Sequence, residues 1–225
     1  MRVPTPLPLA AALAAALPLS AQAGAWTAEP GATFFSQSRS FDTWGEPRAR
    51  LDSYLEHGWR EGVTVGGGMS RREGVGGAEV TRAAAFVRQR VWQGASGEVA
   101  SVEFEAAGDA GSGLESAMRL RLGRGFALGS GGGFAEAELG YVSALGGGDG
   151  RAQMGATLGA RPAAGWLAMA RGAIETGDSR RLNAEASLVR EISPRASLSF
   201  TMGAEDWSAG GPGGAHLRIG IWRRF

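Results

Sequence analysis

The chain has no cysteine and, in 225 residues, no lysine. Without thiols it can form no disulfide framework, offers no thiolate to a metal or a substrate, and has no site for a thiol-linked lipid. Histidine is limited to His57 and His216, which leaves little material for general-base catalysis or for a set of spaced metal ligands. Beyond residue 23 no apolar run approaches the roughly 20 residues that a helical span requires, so a membrane-bound form of this chain must cross as strands. A formal net charge of +1, without a clustered basic face, lacks the electrostatic footprint of a nucleic-acid binder. The glycine-rich stretches "GGGMS" and "GSGGG" are followed by no lysine and open no helix, so they are not phosphate loops. These absences predict a protein with no cofactor, no metal and no enzymatic activity.

The first 26 residues read "MRVPTPLPLAAALAAALPLSAQAGAW". An early arginine, an Ala/Leu stretch broken at Pro18, and small residues in Ala21-Gln22-Ala23 make a secretory signal peptide with cleavage expected after Ala23. The expected organisation is therefore a signal peptide over 1–23 and one domain over 24–225.

In that domain glycine is plentiful but shows no G-X-Y repeat, and it clusters between segments of about ten residues that alternate polar with apolar or small side chains. Repeated segments of period two with turn signals between them indicate an all-β sandwich or barrel. The pattern predicts about twelve strands, near 31–41, 48–58, 63–71, 80–92, 98–107, 115–124, 134–145, 151–161, 166–176, 181–191, 196–206 and 215–225, with ten left open. An even number suits a closed up-and-down antiparallel barrel in the outer membrane, both termini facing the periplasm. In "SAMRLRLG" Met118, Leu120 and Leu122 oppose Arg119 and Arg121; in "ASLSFTMGAE" Leu198, Phe200 and Met202 oppose Ser197, Ser199 and Thr201. Lipid on the apolar side is the expectation, with a soluble periplasmic β-protein as the alternative. Trp26, Trp59, Trp166 and Phe225 fall where a periplasmic aromatic girdle belongs, and Phe41, Trp44, Tyr141 and Trp207 where an outer one belongs. By parity Trp92 and Trp222 point inward.

The last eight residues are "RIGIWRRF". Arg218, Gly220 and the aromatic Phe225 resemble the C-terminal assembly signal of bacterial outer-membrane barrels, which implies recognition by the barrel-assembly machinery and pairing of the last strand with the first. Arg223 departs from that pattern, at a position close enough to the interface for its charge to cost about 0–1 kcal/mol. A second resemblance rests on Ala25, Trp26 and Thr27 with Tyr54, Glu56 and Gly58. These match a set of proteobacterial barrels associated with exopolysaccharide gene clusters, and the match implies a link to surface polysaccharide. Chain length and strand number also resemble the narrow porins for acidic oligosaccharides, which carry arginine tracks in the lumen.

Here the inward arginines are matched by glutamates. Arg82, Arg88 and Arg90 lie on the fourth predicted strand, Glu103 and Glu105 on the fifth, Arg119 and Arg121 on the sixth, Glu136 and Glu138 on the seventh. Centring the turns on "GASG", "GDAGSG" and "ALGSGGG" sets Arg90 opposite Glu103, Arg88 opposite Glu105, Glu103 opposite Arg121, Glu105 opposite Arg119, Arg121 opposite Glu136 and Arg119 opposite Glu138. Farther on, Arg171 falls beside Glu185, and Gly203 beside Arg218. Such a belt either fills and stiffens the barrel or selects a small or saccharide solute. An outer-membrane lipid-modifying enzyme, with His216 near the outer rim beside Asp206 or Ser208, is the remaining alternative.

Overall fold

The computed structural model describes residues 24–42, 49–73, 79–109, 111, 113–128, 131–146, 150–177, 180–207 and 214–225. The expected signal peptide, Trp44 and Ser208 lie outside these residues. Twelve antiparallel strands close into one barrel: β1 (Thr33–Asp42), β2 (Ala49–Arg60), β3 (Val63–Glu73), β4 (Glu79–Gln93), β5 (Glu98–Asp109), β6 (Gly113–Leu128), β7 (Gly131–Ala144), β8 (Arg151–Ala160), β9 (Trp166–Thr176), β10 (Arg180–Ser193), β11 (Ala196–Trp207) and β12 (Gly214–Arg224). Each strand pairs with its neighbours in sequence, and β12 returns to β1 from Phe34↔Arg224 to Asp42↔His216. Phe225 extends that seam by exchanging backbone hydrogen bonds with Thr33 at 2.9 and 3.2 Å. Closure leaves no free sheet edge, which would otherwise expose a row of unpaired peptide groups.

The alternation in the sequence sorts the side chains as a membrane demands. Outside, Leu120 pairs with Val102 and Leu139, and Leu139 with Met154; with Phe104, Met118, Phe200 and Ile219 they form an exposed apolar belt. Inside lie Arg88, Arg119, Arg121, Glu103, Glu105, Glu136 and Glu138, with serines and threonines such as Ser199 and Thr201. A soluble sheet would bury its apolar face and show the polar one to water, so the arrangement overturns the soluble alternative. An arginine in place of Leu120, near mid-strand on the lipid face, is expected to destabilise the barrel by about 2–4 kcal/mol. The shift of the urea unfolding midpoint of the lipid-reconstituted protein measures it.

The aromatic girdles are partly as expected. Trp59 and Trp166 stand on the outer surface at the end that carries the termini, under Arg60 and Arg190 at 5.5 and 4.9 Å, and Phe225 is exposed at the same end. At the opposite rim Phe41 and Tyr141 are also exposed. Trp26 is a correction, because it lies inside the barrel with its ring edge-on to Phe134 at 5.8 Å. Trp92 is another. A β-bulge between Arg90 and Trp92 inserts one residue and reverses parity, turning Trp92 outward, where it is exposed. Trp222 does face inward, edge-on to Phe34 at 5.7 Å.

Candidate functional site: the barrel lumen

On the wall formed by β4 to β7 the inward charges meet as a continuous network. Arg88 binds Glu103 at 2.8 Å and Glu56 at 3.5 Å. Arg119 reaches Glu103, Glu105 and Glu138 at 3.1, 3.0 and 3.9 Å. Arg121 reaches Glu103, Glu136 and Glu138 at 3.1, 3.3 and 2.8 Å. The facing of these residues agrees with expectation, but their register does not. Arg88 stands opposite Glu103 rather than Glu105, Arg119 opposite Glu103, and Arg121 opposite Glu138; Arg218 stands opposite Thr201 rather than Gly203. Displacing a turn centre by one residue slides two antiparallel strands by two, which preserves every face and changes every partner. Four of the expected contacts survive as diagonals (Glu103 with Arg121, Glu105 with Arg119, Arg121 with Glu136, Arg119 with Glu138), because long side chains span the diagonal between strands.

The remaining candidates are dispersed. Arg90 leaves the belt, for the bulge beside it directs its guanidinium to Glu61 in the β2–β3 turn at 3.1 Å. Arg82 joins a second cluster nearer the other mouth, where Glu115 takes both Arg82 and Arg151. Arg171 has the expected backbone partner, Glu185, but the Glu185 carboxylate goes to Arg218 at 2.5 Å and His216 at 3.2 Å. Arg171 lines the cavity with no ion pair among the described residues. His216 thus faces the lumen, whereas Asp206 stands on the outer-facing parity of β11 opposite Leu182; the expected pairing of the two fails, and His216 has no access to lipid. Gly220, also in the inner row, lies where a Cβ would meet Ser199 Oγ at 2.7 Å and Ser38 Cβ at 2.9 Å.

The lining opposite the β4–β7 wall mixes hydroxyls and an amide (Ser36, Ser38, Asn183, Ser187, Ser199 and Thr201) with the Glu185–Arg218 ion pair, and Ser187 and Thr201 share a hydrogen bond of 2.8 Å. Between the two walls is a cavity of about 750 Å³. Toward the end carrying the termini it narrows onto an apolar floor of Phe34, Tyr54, Phe86, Phe134 and Trp222, with Leu167 and Val189 packed against Phe134 and Trp222. Within "GGGMS" Gly66 makes room for a side chain opposite: a Cβ there would lie 2.5 Å from the Phe86 ring, which stacks on Tyr54 at 5.8 Å.

The segment that completes this floor has no counterpart in the period-two pattern. Residues 24–28 fold back into the lumen, reached through an exposed turn at 29–31. Glu29-Pro30-Gly31-Ala32 forms a turn closed by Ala32 N–H donating to the Glu29 carbonyl at 3.0 Å, with Gly31 at φ 82°. Proline followed by a residue of positive φ is the type II pattern, which only glycine fills without strain. Gly31 and Gly58 then bond through their backbones at 2.8 Å, and a Cβ on Gly58 would overlap the Glu29 carbonyl. Ala28 N–H donates to the Thr64 hydroxyl and Ala25 N–H to Glu136, each at 2.7 Å, while Arg88 donates to the Trp26 carbonyl at 3.2 Å. Ala25 and Ala28 are 0% and 2% exposed. At Gly123 a Cβ would meet the Trp26 ring at 2.7 Å and Ala25 at 2.8 Å. The two separated fragments that carry the exopolysaccharide-barrel resemblance therefore share one place. Ala25-Trp26-Thr27 is the inserted segment, and Tyr54, Glu56 and Gly58 line the strand that seats it, with Tyr54 donating to Glu56 at 2.7 Å. The Pro-Gly dipeptide between Trp26 and β1 is a turn signal that could have revealed the reversal.

No protein-family model and no curated protein matches the chain. Among solved structures it is similar to the NanC porin (TM-score 0.67, 9% identity, covering 83% of this chain and 98% of that one). It is also similar to the KdgM porin (0.61, 10%, 84% and 99%) and to an outer membrane channel from Pseudomonas putida F1 (0.55, 9%, 89% and 98%). At these identities the likeness is one of fold. Taken with the closed sheet, the apolar exterior and the polar interior, it makes this chain an integral outer-membrane β-barrel.

Proposed function

We propose that the barrel is a narrow channel whose lumen admits small hydroxylated or charged solutes, saccharides among them. The observation that carries this reading is a cavity lined on one side by a continuous network of paired arginine and glutamate and on the other by serine, threonine and asparagine around the Glu185–Arg218 pair. Hydroxyl and amide groups exchange hydrogen bonds with a solute's hydroxyls, and rings of charge set ion preference. The KdgM porin, similar in fold, has been solved in complex with oligogalacturonate, which supports a saccharide as the kind of solute and is compatible with a role at surface polysaccharide. Arg218, Gly220 and Phe225 serve the barrel-assembly machinery as the C-terminal signal in this reading.

The test is conductance. Purified protein in a planar bilayer is expected to give small discrete single-channel steps. Glu103→Gln combined with Glu105→Gln removes two carboxylates from the wall and is expected to move the reversal potential in a salt gradient toward anion preference. Silence in the wild type and in a variant lacking residues 25–31 would identify the barrel as structural.

A further inference from the structure

We propose that the amino group released by processing after Ala23 is a working part of the barrel: the α-ammonium of Gly24 pairs with Glu136 inside the lumen and latches residues 24–28 there as an internal plug. The inference rests on that cleavage site and not on any solute passing through the lumen.

Glu136 belongs to the network on the β4–β7 wall and is nearly buried. One of its oxygens accepts the Ala25 N–H at 2.7 Å, and its carboxylate lies so close to Gly24 that a Cβ on that residue would overlap it. The Gly24 nitrogen is one bond of about 1.46 Å from the same Cα, so it is held beside the carboxylate. A side chain here would have to displace the Glu136 carboxylate, the φ of 110° favours glycine, and a charged amine is what the surroundings lack. The connected network holds five carboxylates (Glu56, Glu103, Glu105, Glu136, Glu138) against three guanidiniums (Arg88, Arg119, Arg121). A further cation relieves an excess of negative charge held out of bulk water, where an unpaired ion is costly. The rest of the segment is shaped to stay: Gly58 and Gly123 clear space for its backbone and for Trp26, and Thr64 and Arg88 bind its peptide groups.

Because the chain contains no lysine, Gly24 would carry the only amine of the processed protein, and an amine-reactive ester becomes a reporter of this one group. The protein is exported, purified folded in detergent and checked for heat-modifiable migration. Mass spectrometry is expected to find the terminus at Gly24. Acylation of the folded barrel should run on the order of tenfold or more slower than that of the urea-unfolded chain, since reaction must await local opening. Glu136→Gln should restore most of the unfolded rate, and so should Gly24→Val, whose side chain cannot share the space of the carboxylate. Glu61→Gln, at an exposed turn, should stay protected. A terminus elsewhere, equal rates in the folded and unfolded wild type, or a folded Glu136→Gln barrel as protected as the wild type would each overturn the proposal.

Discussion

Replacing Arg88 by leucine is expected to cost the barrel about 3–5 kcal/mol, the usual penalty for stranding a buried charge, and to lower its urea midpoint accordingly. Arg88 is 2% exposed and serves four neighbours at once: Glu103 at 2.8 Å, Glu56 at 3.5 Å, the Trp26 carbonyl at 3.2 Å, and the Phe86 ring beneath its guanidinium at 5.2 Å. The two carboxylates do not depend on it equally. Glu103 retains Arg119 and Arg121, both at 3.1 Å. Glu56 is 0% exposed, has one oxygen already without a hydrogen-bond partner, and retains only the Tyr54 hydroxyl. The loss therefore belongs mostly to Glu56. Adding Glu56→Gln to Arg88→Leu should recover a large part of the stability, and adding Glu103→Gln should recover less. An Arg88→Leu barrel that unfolds at the wild-type midpoint, followed by the gel shift between folded and unfolded chain, would show that water reaches Glu56 and that the lumen floor is open.

Period-two alternation is a local property, so Leu120 outside and Arg119 and Arg121 inside were readable without knowing any partner. Register depends on where each turn is centred, and in glycine-rich stretches every position tolerates the turn, so nothing local distinguishes a pairing from one displaced by two. Hence the pattern puts the belt on the correct wall with shifted partners, and the long arginine side chains preserve four contacts across diagonals. The bulge at Arg90 and Trp92 has no signature in the sequence; the inward parity assigned to Trp92, a tryptophan unsuited to that place, was its only trace. Trp26 misled because an aromatic just before the first strand suits an interfacial girdle as well as a lumen floor. The distinction lies in Pro30-Gly31, which turns the chain back, and in Gly58 and Gly123, which make room for it. None of these glycines announces a distant neighbour from within its own strand.

Deleting residues 25–31, so that Gly24 joins Ala32 and the processing site is kept, is expected to give single-channel steps severalfold larger than those of the wild type. The deletion removes the Trp26 ring, the buried Ala25 and Ala28, and the backbone that lies across Gly58 and Gly123, while leaving all twelve strand pairings in place. It does not empty the lumen. Phe134 still lies against Gly159, where a Cβ would overlap its ring, and Leu167, Val189 and Trp222 still pack around it. The conductance should therefore be that of a narrow aperture, and a further Phe134→Ala, which takes away the ring that now meets Trp26 edge-on, should widen it again. Ion preference should move in the opposite sense to that of the Glu103→Gln and Glu105→Gln barrel. With the segment gone, Glu136 loses its peptide donor and the Gly24 amine, and its uncompensated charge faces the path, favouring cations. Equal steps from the deleted and intact barrels would mean that the constriction lies elsewhere in the lumen, and the ion-pair belt between Arg119, Arg121 and their glutamates would be the element to test.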